Sequence, residues 1–278
     1  MNIPWKLKSF VFGCIDKLDR PNLLYFLQKH VTQRSKIDKL KIANSWVCHK
    51  KFLRDHKATG MVLEFGAGKN LAQNLFLSDV LDNQFVVDLN PMIDLETVDK
   101  CRDWLRRHVS LRSDHKICSL GDLASYGIEY KAPYDAANTH FDDETIDACI
   151  STNTLEHIPQ ANILSIFREL NRILKPGGVV SAKIDYSDHY AHTDKSISLL
   201  NYLFFSDSEW RKYNHRCHFQ NRLRHSDYIE IFARAGFYVA QQSLDYDESC
   251  VPEELINKFG KTDGTWMATS GHLLLKKK

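Results

Sequence analysis

The chain predicts an α/β fold in which short apolar strands alternate with stretches of helical periodicity. Three observations carry that expectation. Met61 to Phe65 is an apolar run that enters the turn Gly66-Ala67-Gly68, and Asn70 to Leu81 follows with Leu71, Leu75, Leu77, Val80 and Leu81 at helical spacing. Gln84 to Val87 is a second apolar strand, ending in Asp88. Ala148 to Ser151 and Gly178 to Ile184 repeat the pattern further along. A chain of 278 residues can bury one large α/β core with additions, so no second catalytic domain is needed.

The first glycine turn is the place for a nucleotide-like cofactor, because Gly66 and Gly68 allow a tight turn and leave no side chain between backbone and ligand. Spacing separates the cofactor classes. A phosphate-cradling P-loop needs glycine five residues before Gly68-Lys69 and Ser or Thr after it, whereas this chain has Leu63 and Asn70. A dinucleotide fingerprint needs a third glycine where this chain has Leu71, which weakens a nicotinamide oxidoreductase without eliminating it. The remaining class places an acidic residue, here Glu64, at the strand end two residues before Gly66. Asp88 follows about 20 residues after the loop, the distance at which a carboxylate takes both ribose hydroxyls.

The segment Val62 to Asn70 resembles motif I of class I S-adenosylmethionine-dependent methyltransferases, and the next segments match that family in order. Tyr134 to Asp147 resembles its Asp-Ala pair, here Asp135-Ala136, followed by a turn of the pattern Phe-Pro-Asp-x-Ser-Phe-Asp; in the family the pair meets the adenine. Thr152 to Pro159 resembles the segment after strand four, and Leu170 to Val180 resembles the helix end, turn and fifth strand. The match spans roughly residues 58 to 185. It implies S-adenosylmethionine as donor and S-adenosylhomocysteine as product. The binding set it implies is Glu64, Gly66, Ala67, Gly68, Asn70, Asp88, Leu89, Asp135, Ala136 and Thr152. It also implies a Rossmann-like, seven-stranded, mostly parallel sheet with helices on both faces. The helix His225 to Ala235 and the strands Phe237 to Leu244 and His272 to Leu275 would close that sheet with an antiparallel hairpin. Asn70 stands where many members have a third glycine, and Asp142 where the turn usually has Pro. These departures keep a catalytically silent binding module as an alternative.

Charge divides the chain. Residues 1–57 hold thirteen Lys and Arg against four Asp, a charge of +9, which leaves −7 on residues 58–278 of a chain with net +2. The first segment reads as a basic helical extension, with Phe10, Val11, Cys14, Ile15 and Leu18 on one helical face, Leu23, Leu24, Phe26 and Leu27 on another beyond Pro21, and a further helix from Ile37 to Leu53. It covers the sheet, lines the acceptor pocket, or rests peripherally on an anionic membrane at the inner face. Nucleic acid is disfavoured, since the basic residues form no reading motif. Seven scattered cysteines without a Cys-x-x-Cys pair read as reduced thiols of a cytoplasmic protein, and apolar runs fall short of the ~20 residues that cross a bilayer.

Between strand five and the helix at 225, residues about 186–224 form an insertion carrying His189, His192, His215 and His218. Open α/β sheets bind ligands beyond the carboxyl ends of their strands, so this insertion is a lid over the donor methyl. Methyl transfer to a hydroxyl needs a base, and His189, with Asp188 or Asp185 orienting its ring, fits that task. His192, Arg222 and Arg224 are candidate acceptor contacts, the arginines through forked hydrogen bonds. Magnesium on Asp185, Asp188 and Asp194 is a weaker expectation, and no metal ligand set is assigned. Ser151-Thr152-Asn153-Thr154 replaces the Asn- or Asp-Pro-Pro-Tyr run of methyltransferases that modify nucleobase amines. DHYAHTDKSIS (188–198) and QNRLRHSDY (220–228) resemble methyltransferases of bacterial cell-surface polysaccharide synthesis. That likeness implies O-methylation of a saccharide, with a small metabolite or natural product as the alternative acceptor.

Overall fold

The computed structural model describes residues 3–18, 40–247, 251–260 and 264–278. Its centre is a seven-stranded sheet of order β3-β2-β1-β4-β5-β7-β6. The strands are β1 (Met61–Phe65), β2 (Asn83–Val87), β3 (Ile128–Lys131), β4 (Ile146–Thr152), β5 (Leu174–Asp185), β6 (Phe237–Tyr246) and β7 (Ala268–Lys277). β1 pairs in parallel with β2 and β4, whereas β7 runs antiparallel between β5 and β6. The expected fold is therefore present, including the closing hairpin. The strand order reverses between β1 and β4, the switch point beyond whose carboxyl ends open α/β sheets place their ligands.

Apolar periodicity explains the two faces of the sheet. Helix α5 (Gln160–Ile173) buries Ile163, Ile166, Phe167, Leu170 and Ile173, the one-stripe spacing of an amphipathic helix, against Leu63, Cys149 and Val180 of the sheet core. On the other face Val62, Val86 and Ala148 pack with Leu75 of α3 (Ala72–Leu77) and with Val98 and Leu105 of α4 (Leu95–Leu105). Strands with both faces covered read as continuous apolar runs, which is why β1 was legible.

The amino-terminal segment joins the body through two helices, α1 (Trp5–Lys17) and α2 (Asn44–Asp55). α2 starts at Asn44, later than the expected Ile37, and residues 19–39, with the Pro21, Leu23 to Leu27 and Ile37 expectations, lie outside the described residues. Its fully buried His49 hydrogen-bonds Ser181 Oγ at 2.7 Å and Thr152 Oγ1 at 2.9 Å, fastening the helix to β5 and β4. α1 instead fastens the lid. Trp5 packs on Tyr190 and Tyr213 with ring centroids 5.6 and 4.7 Å apart, its backbone N–H donates to Asp194, and Asp16 accepts from the backbone of Cys217 at 3.0 Å. A third core of Trp5, Tyr190, Leu200, Tyr202, Trp210, Leu255 and Trp266 results. Here α6 (Asp207–Trp210) and α8 (Glu253–Phe259) contribute, while α7 (His225–Arg234) covers the sheet. Among the described residues no helix is long and apolar enough to cross a membrane. Cys14, Cys48, Cys101, Cys118, Cys149 and Cys217 are free thiols, and Cys250 lies outside the described residues.

His49→Ala removes a buried ring and leaves the Ser181 and Thr152 hydroxyls each short of one partner. The variant is expected to lose about 2–4 kcal/mol of stability, read as a lower urea midpoint at unchanged slope.

Candidate active site

The loop between β1 and α3 is shaped by three residues in left-handed backbone, Gly66 and Gly68 at φ 76° each and Leu71 at φ 44°. At Gly66 a β-carbon would meet the Thr154 side chain at 2.2 Å, so this glycine is required by the close approach of the segment after β4. Gly68 is different. A β-carbon there meets nothing within 4 Å, so the loop presents bare backbone to open space. Asn70 Oδ1 accepts from the Ala72 N–H at 3.1 Å just ahead of the helix, which begins two residues later than sequence periodicity implies because Leu71 is not helical.

Beneath the loop lies Glu64, 3% exposed, which accepts hydrogen bonds from Gln73 Nε2 at 2.8 Å and Asn74 Nδ2 at 2.6 Å. Burial pushes its carboxyl up to about 7, against the opposing effect of those two amides. The network continues from Gln73 Oε1 to the Thr152 hydroxyl at 2.9 Å, on to His49 and Ser181, and ends at His272, whose Nε2 is 3.0 Å from Ser181 Oγ. Burial, reinforced by His272, holds the His49 imidazole well below its usual range, so it sits in this network as a neutral ring.

Asp88 closes the second side of the crevice. It accepts from Tyr130 Oη at 2.9 Å and from the Gly68 N–H at 3.3 Å, which ties the ends of β2 and β3 to the glycine loop. Burial raises its carboxyl above the usual range. Tyr134 N–H donates to Asp88 O at 3.0 Å and so carries Asp135 and Ala136 alongside. Ala136 is buried, whereas Asp135 is exposed and caps the Ala137 N–H at 2.9 Å. Leu89 is 67% exposed on the rim. The fold thus brings Glu64, the glycine loop, Asp88, Asp135 and Thr152 to one end of the sheet. Gly68 leaves open space beside the loop, and the Asp88 carboxylate at the end of β2 lies within hydrogen-bond reach of it. Gln73, Asn74, Tyr130 and His49 were not singled out in the sequence. The signal for the first two was a pair of amides inside an otherwise apolar short helix.

The lid residues divide into two groups. His189, His192 and Asp185 converge at the end of β5, with Asp185 Oδ2 3.5 Å from His189 Nε2 and 3.6 Å from His192 Nε2. Burial pushes the Asp185 carboxyl up, and the adjacent His189 ring together with the hydrogen bonds from Ser187 outweigh it, leaving the group below its usual range. Burial lowers His192, whose Nε2 also meets Ser187 Oγ at 2.8 Å. The second group holds the lid together and corrects several expectations. Asp188 does not orient His189: it is fully buried and accepts from the Tyr190 N–H and from Asn201 Nδ2, each at 2.8 Å. Asp185 takes the orienting place, because a strand-end carboxylate faces the crevice while Asp188 has already turned inward. Asp194 binds the Trp5 and Ser196 N–H groups, so Asp185, Asp188 and Asp194 do not gather around one ion. Arg224 is 7% exposed and donates to the carbonyls of Tyr186, Trp266 and Ala268. Arg222 donates to the carbonyls of Tyr202 and Phe205 and pairs with Asp207. Both arginines therefore clamp backbone instead of facing an acceptor.

Two substitutions separate the roles of the glycines. Gly66→Ala is expected to unfold or aggregate, because the methyl collides with Thr154. Gly68→Ala is expected to fold with a strain of roughly 1–2 kcal/mol. It should still weaken S-adenosylmethionine at least about tenfold, as read by calorimetry beside a thermal melt.

Residues 121–182 match the family model described as "Methyltransferase domain". The CurJ carbon methyltransferase shares the fold, with 14% identity over 93% of this chain and 61% of that one and a TM-score of 0.51. Geranyl diphosphate C-methyltransferase from Streptomyces coelicolor A3(2) aligns at 12% identity over 84% of this chain and 79% of that one, with TM-score 0.49. The YcgJ protein from Bacillus subtilis aligns at 16% identity over 84% and 98%, with TM-score 0.48. A comparison with curated proteins finds no match. The matched segment is that of a methyltransferase domain, and the β3-β2-β1-β4-β5-β7-β6 sheet around it is the Rossmann-like sheet of that fold.

Proposed function

We propose that the chain transfers the methyl group of S-adenosylmethionine to a hydroxyl of a saccharide or surface glycan precursor. The observation that carries this reading is the pair of imidazoles, His189 and His192, sharing the Asp185 carboxylate at the end of β5, next to the donor cradle. A hydroxyl is a weak nucleophile until it loses its proton, and an imidazole backed by a carboxylate suits that proton. The bound donor supplies an electrophilic methyl on sulfur. The imidazole pair accepts the hydroxyl proton as the oxygen bonds the methyl carbon. The electrons of the broken carbon–sulfur bond stay on sulfur, giving S-adenosylhomocysteine. Asp185 holds the ring and stabilises the imidazolium that forms.

The groups lining this end of the crevice support a polyhydroxylated acceptor. Glu156, Asp185, Ser187, His157, His189 and His192 offer acceptors and donors for hydroxyls and little apolar surface. The carbon methyltransferases that share the fold do so at 12% and 14% identity and bear on the fold alone. A small metabolite or natural product is the second reading of the acceptor, and an acceptor screen separates the two. Exposed Leu7, Phe10 and Val11 on α1 and Leu18 at its C-terminal end, beside Lys6 and Lys17, support peripheral contact with an anionic membrane. Sedimentation with anionic liposomes at low salt should carry the protein down, and its absence from the pellet would retire that contact.

His189→Ala is expected to lower turnover by about 10²–10⁴-fold while leaving S-adenosylmethionine affinity within about twofold. The readouts are glycan mass spectrometry for the added methylene and calorimetry for the donor. A wild-type rate in the variant would end the assignment.

A further inference from the structure

Three side chains at the mouth of the crevice are arranged as no hydrogen-bonded lid requires. Glu156 and His157 lie on the turn just after β4, and His189 reaches them from the lid. One ligand atom from each lies within 4.8 Å of the other two. Glu156 is 2% exposed, and its Oε2 is buried with no hydrogen-bond partner among the described residues. His189 Nε2 is in the same condition, with Asp185 Oδ2 3.5 Å away. A buried carboxyl oxygen and a buried ring nitrogen left without hydrogen-bond partners at one place are costly unless something supplies them.

The tautomer of His157 points the same way. Its Nδ1 is 2.9 Å from the Phe219 carbonyl oxygen. A carbonyl only accepts, so Nδ1 carries the hydrogen and Nε2 keeps its lone pair. A backbone carbonyl on one ring nitrogen with a lone pair on the other is the arrangement that surrounds metal-bound histidines. The His157 and His189 rings lie 4.9 Å apart between centroids.

We infer that Glu156, His157 and His189 form a binding site for one divalent transition-metal ion, with Asp185 beside it, at the acceptor end of the crevice. Two imidazoles and one carboxylate select ions of the manganese-to-zinc series over magnesium, which prefers oxygen ligands and keeps its waters. Ligand atoms on one such ion lie roughly 3–4.2 Å apart, so a closing movement of about an ångström completes the set. The ion is placed to hold acceptor oxygens: Thr154, two residues before Glu156, hydrogen-bonds the Gly66 carbonyl of the donor loop at 3.1 Å. This assignment of the ion's role rests on the hydroxyl-methylation reading above. With the ion bound, neighbouring hydroxyls of a sugar chelate it, and His192 is the imidazole left facing the acceptor proton.

The test is direct binding of Mn²⁺ to the full chain after chelator treatment, followed by the loss of the free-ion electron paramagnetic resonance signal without any acceptor. One ion per chain is expected, undisplaced by excess Mg²⁺. His157→Ala, which alters an exposed side chain, and Glu156→Gln should each weaken it at least about tenfold. His115→Ala, on a distant surface turn, should leave it unchanged. Thermal melts and S-adenosylmethionine calorimetry establish that each variant is folded. Absence of Mn²⁺ binding in the wild type overturns the site, as does equal binding in His157→Ala and Glu156→Gln, which would mark an adventitious surface ion. Variant-sensitive Mn²⁺ binding without methylation of any glycan upholds the metal site and removes the saccharide acceptor instead.

Discussion

Glu64 occupies an uncomfortable place, a carboxylate buried at the end of the central strand, and much of the surrounding structure follows from accommodating it. Its two oxygens need donors, and Gln73 and Asn74 provide them from the first turn of α3. That requirement fixes where the helix starts relative to β1, and hence the path of the glycine loop between them. Gln73 in turn needs a partner for its own oxygen. It finds the Thr152 hydroxyl, which joins His49, Ser181 and His272 in one buried polar chain across β4, β5 and β7. Buried polar groups stabilise a structure only when all are satisfied, so this chain specifies one arrangement of loop, sheet and α2.

The donor cradle and the acceptor end are joined by short connections at the carboxyl ends of neighbouring strands. Thr154 packs on Gly66 and bonds its carbonyl, so the segment carrying Glu156 and His157 is seated directly on the donor loop. Asp185 ends β5, the next strand, and the lid returns His189 and His192 to it. The lid keeps that position because its own polar groups are used internally. Arg224 gathers carbonyls from the residue just after β5, the 264–267 turn and β7, while Asp188 and Asp194 hold the backbone of the lid and of α1. The basic amino-terminal extension is thus part of the lid architecture through α1 and part of the sheet packing through α2.

The fold was legible because its signals are local. A buried parallel strand is a continuous apolar run, a glycine turn follows it, and an acidic residue ends the next strand; each is visible within a few residues of Met61 to Asp88. The gathering of Glu64, Gly66, Gly68 and Asp88 at one end of the sheet was legible for the same reason, since they come from two consecutive strand ends. The lid was harder. Asp188 precedes His189 in the chain and looked like its partner, yet a turn at the end of β5 sends Asp188 inward to Asn201 and leaves Asp185 in the crevice. Arg222 and Arg224 carried the right chemistry for an acidic acceptor, but their environment is a set of backbone carbonyls from distant segments. Sequence spacing contains no information about which carbonyls lie near a side chain.

By itself, then, the sequence determined the alternation of strands and helices through periodicity, while the parallel core with its antiparallel edge and the class of donor followed from the resemblance of its ordered motifs to a known family. Tertiary structure alone decided which carboxylate stands beside the lid histidines and that His49 anchors the extension. It also decided that Glu156, His157 and His189 meet at one point. Those contacts join residues up to 132 positions apart, as His49 and Ser181 are, and are set by how strands stack and loops return. No local pattern in the chain records that outcome.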